Sequence, residues 1–369
     1  MKKVLHVLGN LGYGGAEMFV INIYRNIDRR VVQFDFLVRQ NNNGPLVKEI
    51  EELGGNVVIL PDHRKHIIGN HIVLSRYMKE HHSEYCAIHV HANSLIYVYP
   101  LYLAKKYNIP IRIIHSHSTK GMCEPLHQLN INRIDKWVTH RMACSMQAGQ
   151  YMFPRKKFQV IQNGINLDLF QYDEEKRNAI RKKLGVGNIT IIGHVGRITP
   201  PKNHSFIIEI FEEYQKKDPS SILLLIGDGE ETEKIKKLVR QKRLSGQVIF
   251  TGPVSNVHEY LSAMDLFLFP SLWEGLGIAL IEAQQNGLRC LVSANIPEKA
   301  DMGLCCFTSL NEDKSVWAQR IMELLMLKRG EPDRRIMEYD IKHVSKELQD
   351  LYTVGERYGK QSVCNNGSI

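Results

Sequence analysis

"ITIIGHVGR" (189–197) is an apolar run that ends on glycine and arginine, and its reading decides how the chain divides. The run reads as a buried strand entering a turn, and Phe206, Ile207, Ile210, Phe211 and Tyr214 then form a helical stripe. The same order already occurs at the N-terminus. "KKVLHVL" (2–8) is continuous enough for a strand covered on both faces. Ala16, Phe19, Val20, Ile23 and Ile27 follow at i, i+3, i+4, i+7 and i+11, one face of a helix. Residues 189–197 therefore restart a pattern rather than continue one.

Each start opens a series. After the first come the strand candidates "VVQFDFLV" (31–38), "NVVIL" (56–60), "AIHVH" (87–91), "IRIIH" (111–115) and "RMACS" (141–145). After the second come "SILLLIGDGE" (221–230), "QVIFTG" (247–252), "DLFLFPS" (265–271) and "RCLVS" (289–293). Between the series lie the turn-rich "QVIQNGINLDLF" (159–170) and a charged helix over Asp173–Lys183. Alternating strands and helices require a parallel sheet with helices on its faces. The expectation is an α/β chain of two doubly wound domains, 1–165 and 166–345, with the join near 165–185. The ending "GKQSVCNNGSI" is polar and reads as loose.

A length of 369 residues suits two such domains. With 43% hydrophobic and 24% charged residues the composition is that of a globular protein. No apolar run reaches the roughly 18 residues of a membrane span, and the run after Met1 is too short for a secretory leader. Seven cysteines without a Cys-x-x-Cys spacing read as reduced thiols of a cytoplasmic protein. A formal charge of +9 points to an acidic partner: a phosphorylated substrate, an anionic membrane surface or nucleic acid. Without a zinc-knuckle spacing or an aromatic–basic run, nucleic acid is the weakest of the three.

In doubly wound sheets ligands sit beyond the carboxyl ends of strands, so the loops there carry the chemistry. "GNLGYGGAE" (9–17) brings glycines to a helix N-terminus, where free N–H groups suit phosphate. In "GRITPPKNH" (196–204), Arg197 and Lys202 flank a stiff Pro-Pro and read as a diphosphate clamp. "PSLWEGLGIALIEA" (270–283) sets Glu274 before a helix and Glu282 on it, about 12 Å apart at most. One carboxylate can accept from a sugar at one end and the other from a ribose at the other. "HSHST" (115–119) places His115 and His117 on one face, and His89 and His91 form a similar pair. No carboxylate or cysteine completes either pair, so donors to substrate oxygens are favoured over a metal centre. "IGDGEE" (226–231) reads as a turn followed by a helix start. The chain holds no Asp-x-Asp for a metal-dependent sugar transferase.

Together "GGAE" (14–17), "NGIN" (163–166), "GR" with "KN" (196–203), "GDG" (227–229) and "PSLWEGLGIALIEA" resemble the family 4 retaining glycosyltransferases over nearly the whole chain. The N-terminal part looks most like the branch of bacterial capsule and exopolysaccharide synthesis. The resemblance implies a GT-B fold, two Rossmann-like domains facing across a cleft, with the N-terminal one binding acceptor and the C-terminal one binding the nucleotide sugar. Residues 346–369 would return toward the N-terminal domain. Arg197 and Lys202 would hold the donor diphosphate, Glu274 the donor sugar and Glu282 the ribose. Gly275 would help shape the loop, while Gly277 and Ile278 would offer backbone N–H groups. Gly14 and Gly15 would let the phosphate approach, Val254 would lie against the base, and His117, or failing it His115, would stand near the transferred sugar.

The implied reaction moves a hexosyl group from a nucleotide diphosphate sugar, UDP by family prevalence, to a glycan or lipid-linked acceptor. It needs no cofactor and no divalent metal, and front-face attack requires no protein nucleophile. A lipid-linked acceptor implies peripheral contact with an anionic membrane at its inner face, through cations such as Lys79, Lys105, Lys106, Arg133 and Lys136. The rivals are a nucleotide-sugar epimerase of the same fold, a phosphorylase, for which no pyridoxal phosphate motif is present, and an NAD-dependent oxidoreductase. The last would use residues 9–15 and Asp35, but the spacing G-x-G-x-x-G is absent.

Overall fold

Parallel pairing accounts for every ladder between named strands among the described residues. The computed structural model describes residues 1–12, 14–39, 46–118 and 123–355. The chain forms two units, one of Met1–Gly164 joined by the segment from Tyr339 onward, the other of Ile165–Glu338.

The first unit runs β1 (Lys2–Leu8), α1 (Gly15–Asn26), β2 (Val32–Val38), α2 (Val47–Glu52), β3 (Asn56–Ile59), α3 (Ile67–His81) and β4 (Tyr85–Ala92). It continues with α4 (Tyr99–Lys106), β5 (Ile111–Ser116), α5 (Glu124–Ile131), β6 (His140–Ala143), α6 (Met146–Met152) and β7 (Gln159–Val160). The strand order is β3-β2-β1-β4-β5-β6-β7, so the direction of winding reverses between β1 and β4. All seven residues of β2 are buried, as a strand covered on both faces requires. One core layer gathers Phe19, Val20, Ile23 and Phe34; the other gathers Leu74, Met78, Leu101 and Ile114.

The second unit runs α7 (Glu174–Leu184), β8 (Ile191–Val195), α8 (His204–Gln215), β9 (Ile222–Ile226), α9 (Thr232–Gln241) and β10 (Val248–Gly252). Then come α10 (Val257–Ala263), β11 (Leu266–Phe269), α11 (Ile278–Gln285), β12 (Cys290–Ser293), β13 (Cys305–Thr308) and α12 (Lys314–Leu325). Its order, β10-β9-β8-β11-β12-β13, reverses between β8 and β11. The loops after β1, β8 and β11 thus lie at switch points, where doubly wound folds bind ligands. α7 was expected as a charged helix and begins as one, with Asp173 accepting from Lys176 N at 3.0 Å. Its Arg177 and Arg181 are partly to well buried and grip Asp265 at 2.6 and 2.5 Å, fastening the helix to the start of β11.

The last helix among the described residues, α13 (Ile341–Val354), belongs to the first unit. Ile341, Val344, Leu348 and Tyr352 form its buried stripe and join the core around Phe34. The change of unit falls at Tyr339, ahead of the expected 345. Asp340 caps α13 by accepting from Lys342 N at 2.9 Å, and Ile341 already packs on Gly164, where a Cβ would lie 2.8 Å from the Ile341 Cα. The same packing explains the glycine of "NGIN".

The candidate strands recur with trimmed ends. "RMACS" becomes β6 over His140–Ala143 because Ser145 leaves the sheet to cap α6, accepting from Ala148 N at 3.2 Å. β13 was not foreseen. It is a four-residue edge strand beginning with the two adjacent cysteines, too short to show a period.

Candidate active site

The loop after β8 is held by backbone contacts that explain the "GDG" motif. Gly227 adopts φ 128°, and a Cβ there would lie 2.2 Å from the Gly196 carbonyl oxygen; at Gly229 it would lie 2.3 Å from that of Ile198. Ile198 N donates to Asp228 O at 3.1 Å, and Glu231 N donates to Ile198 O at 3.1 Å. Asp228 itself accepts from Gly229 N at 2.8 Å and Thr232 Oγ1 at 2.5 Å. The acidic loop is therefore a turn and helix start, as its sequence suggests.

Pro200 and Pro201 lead into a single tight turn ending at Lys202, and Asn203 follows in the left-handed region at φ 57°. Asn203 Nδ2 donates to Pro270 O at 3.2 Å, while Leu272 N donates to Pro201 O at 2.8 Å. These two bonds stitch the loop after β8 to the loop after β11. As a result Lys202 Nζ donates to Glu274 Oε1 at 2.5 Å and lies 5.3 Å from the Phe269 ring centroid. The sequence implies separate tasks for the two side chains; the structure pairs them. Arg197 lies exposed on the same loop, with no side-chain partner among the described residues.

Gly277, at φ 77°, caps α11, and its carbonyl accepts from Leu280 N at 2.8 Å. The N–H groups of Gly277, Ile278 and Ala279 have no backbone acceptor among the described residues, as at any helix start. Gly275 is exposed just before them. Glu282 lies one turn on, with no hydrogen-bond partner among the described residues. Part of its side chain reaches the surface, yet burial pushes its carboxyl up to about 7. Val254 is half-buried in the loop after β10, where Gly227 N donates to Gly252 O at 3.0 Å.

His194, beneath this loop, was not singled out from the sequence. Its Nδ1 donates to Leu268 O at 2.9 Å, which leaves Nε2 as a buried lone pair beside Gly196. Burial, the His204 ring and the Lys202 charge hold it well below the usual histidine range. The alternation of "GHVGR" in a strand was the available signal, but it could not distinguish core from site.

In the first unit, Gly14 caps α1 and Gly15 is its first residue. A Cβ at Gly15 would meet nothing within 4 Å, so packing does not demand that glycine, whereas a Cβ at Gly14 would lie 2.3 Å from Glu17 Oε2. Tyr13 lies outside the described residues. Asp35 does not stand at a strand end. It is buried in β2, accepting from Tyr85 Oη at 3.0 Å, Asn56 N at 3.1 Å and Lys3 Nζ at 3.4 Å, so it is engaged within the sheet rather than presented to a ribose of NAD.

Strand register gathers the histidines. His6 pairs with His89 across β1 and β4, and His91 with His115 across β4 and β5. His115 and His117 stack with ring centroids 4.2 Å apart. His117 Nε2 lies 2.9 Å from His91 Nδ1, and His91 Nε2 lies 3.0 Å from His6 Nδ1. His115 Nδ1 lies 3.2 Å from His89 Nε2, and His89 Nδ1 lies 2.7 Å from Tyr352 Oη. Burial holds His6 and His117 at about 3, so these rings are neutral at physiological pH. Two triads, His6–His89–His91 and His91–His115–His117, bring ring nitrogens within 4.8 Å of one another, with no carboxylate or cysteine among them. Sequence reasoning found four of the five and missed His6, because only the register brings β1 beside β4.

Comparison with known proteins follows the same division. Residues 13–169 match the family Glycosyltransferase Family 4, and residues 176–340 match Glycosyl transferases group 1. EpsF of Bacillus subtilis (strain 168), named as a glycosyltransferase, is 33% identical over 367 residues, covering 94% of each chain. CapH of Staphylococcus aureus, a capsular polysaccharide biosynthesis glycosyltransferase, is 25% identical over 371 residues, covering 95% of this chain and 99% of CapH. The crystal structure of Anabaena HepE in complex with UDP and glucose has a TM-score of 0.73 at 16% identity, covering 96% of this chain and 98% of HepE. At that identity the likeness speaks for the fold.

Proposed function

This chain belongs to glycosyltransferase family 4 and has the GT-B fold, and from that premise we propose that it transfers a hexosyl group, with retention, from a UDP-sugar to a glycan or lipid-linked acceptor in surface polysaccharide synthesis. The observation that carries the reading is the Lys202–Glu274 pair, held at 2.5 Å beside the free N–H groups of α11. The bond to be broken joins an anomeric carbon to a diphosphate, and its leaving group is anionic. Arg197, Lys202 and the N–H groups of Gly277 and Ile278 stabilise that charge as it develops. When donor binds, the diphosphate takes the Lys202 ammonium and the sugar hydroxyls take the Glu274 carboxylate, so neither charge is left unpaired. Glu282 accepts from the ribose, Val254 lies against the base, Gly14 and Gly15 admit the phosphate, and His117 donates to an oxygen of the transferred sugar. The departing phosphate takes the acceptor's proton. No step calls on a divalent metal or a protein nucleophile.

A metal-free thermal-shift titration with UDP, GDP, ADP and NAD tests the donor. UDP at 100 times its Kd adds about 2.7 kcal/mol of apparent stability, and the rise persists in EDTA. A response to GDP or ADP alone overturns the base assignment. A response only in the presence of a divalent ion overturns the metal-independent clamp.

The acceptor side of the proposal includes peripheral binding at the cytoplasmic face of an anionic membrane. No helix among the described residues is long and apolar enough to cross one. α3 instead exposes Ile67, Ile68, Ile72 and Val73, and Ile68, Ile72, Arg76 and Lys79 fall on one strip of that helix. Lys105 and Lys106 are exposed on α4, which packs on α3, and Arg133 and Lys136 are exposed further along the unit. Apolar insertion with nearby cations is the recipe for interfacial attachment. Co-sedimentation with anionic vesicles is expected at low salt and lost in Ile68→Asp/Ile72→Asp. Equal pelleting of the wild type and that variant rejects the α3 face.

A further inference from the structure

The buried histidines have a direction, and it follows from counting protons. Each neutral imidazole carries one N–H and one lone pair, so a hydrogen bond between two rings fixes the tautomer of both. Tyr352, His89 and His115 form one such file, linked at 2.7 and 3.2 Å. If the phenol donates to His89 Nδ1, then His89 Nε2–H donates to His115 Nδ1, and the His115 proton sits on Nε2. The reverse order strands the phenol O–H, which has no other partner among the described residues, and leaves His115 Nε2 a buried bare acceptor as well. The first order leaves one unsatisfied group and the second leaves two, so the first is preferred.

His6, His91 and His117 form the second file, linked at 3.0 and 2.9 Å. Both of its outer nitrogens, His6 Nε2 and His117 Nδ1, are covered and have no partner among the described residues. One must carry the proton. The His6 ring is 1% exposed, with its centroid 4.1 Å from that of Phe34 and 5.8 Å from that of Phe36. His117 is the one ring of the five that is partly exposed. A stranded N–H in a dry aromatic pocket is worse than a stranded lone pair, so the proton belongs at the His117 end.

We propose that the rings are two hydrogen-bond files polarised toward the same end, which fix His117 as an Nδ1–H donor and His115 as an Nε2–H donor. His6, His91, His89 and Tyr352 are positioning residues for that end. His117, the partly exposed member, is the one placed to offer its N–H to an oxygen acceptor, a sugar hydroxyl or a phosphate oxygen, while the His115 N–H stays covered behind it; neither ring keeps an outward lone pair with which to act as a base. Naming a substrate oxygen as the acceptor rests on the transferase reading; the proton order does not. Tyr352 gives the returning helix α13 a task beyond covering the sheet.

Long-range nitrogen–proton correlation spectra of histidine-labelled protein, without substrate at pH 7.5, read each tautomer directly. The expected result is His117 protonated at Nδ1 and His115 at Nε2, each as a single form. Tyr352→Phe removes only the hydroxyl that orients one file, so His115 loses its single-form signature while His117 keeps it. His117 protonated at Nε2 in the wild type, or a His115 signal indifferent to Tyr352→Phe, overturns the proposal. If the tautomers are as assigned and no nucleotide sugar is turned over, the files stand and only the transferase reading falls.

Discussion

Lys202→Ala lowers kcat by about 10²–10³-fold, the loss seen when one preorganised group aimed at a developing negative charge is removed. Three features place Lys202 in that class. Pro200, Pro201 and the left-handed Asn203 fix its backbone. Two hydrogen bonds tie that backbone to the loop bearing Glu274. Its side chain is 20% exposed, so the charge acts in a partly dry setting where water screens it weakly. The fold also feels the change. The Glu274 side chain is 10% exposed, so losing its partner leaves a largely covered carboxylate and lowers unfolding free energy by about 3 kcal/mol, which is why kcat is read per folded enzyme.

Kinetics separate the possible outcomes. If the clamp acts on the leaving group, kcat and kcat/KM fall together, because the interaction is made in the transition state. A rise in KM with unchanged kcat would make Lys202 a uniform binding contact and remove it from the chemistry. Near-normal turnover would remove the clamp altogether. Glu274→Gln also lowers kcat, and the double variant is much less than the product of the two, since the pair works as one unit. Lys202→Arg keeps the charge but replaces a compact ammonium with a planar fork, so it restores only part of the rate.

How much of this was visible beforehand depends on the distance over which each feature is set. Most strands and the long striped helices of both units are legible because period and composition are local. So is the Gly-rich entry to α11, since a helix start is written in a few consecutive residues. The Lys202–Glu274 contact joins residues far apart in sequence, and only the adjacency of β8 and β11 brings them together. The fifth histidine needed the register of β1 against β4. The stripe of Ile341, Val344, Leu348 and Tyr352 marks a helix with one buried face, but nothing in the stripe says which sheet will cover it. β13 shows the opposite limit, a strand too short for any pattern to emerge.

Glu282→Gln is expected to make the protein more stable at pH 8 and a worse binder of nucleotide. Burial raises the folded-state carboxyl from 4.5 to about 7, so the folded protein holds this proton more tightly than the unfolded chain. Its contribution is therefore fully present below pH about 4.5 and is lost as pH rises through about 7. At about 1.4 kcal/mol per pH unit, with some allowance for the wetted part of the side chain, the loss is on the order of 2–3 kcal/mol. Glutamine cannot ionise and escapes it. Denaturant unfolding of both proteins at pH 5 and pH 8 reads the difference: the variant gains on the wild type between the two, and parallel pH profiles would show that the carboxyl is not strained.

The strain has a use if ribose is what relieves it. Hydroxyls donating to the ionised carboxylate lower its pKa in the complex, and by reciprocity UDP binds more tightly as pH rises from 6 to 8. The 2′-deoxy nucleotide lacks one donor and shows a shallower rise, and Glu282→Gln shows none from this group. Equal affinity of the wild type for UDP and 2′-deoxy-UDP across that range would detach Glu282 from the ribose. The buried acid would then be a cost to the fold with no return in binding.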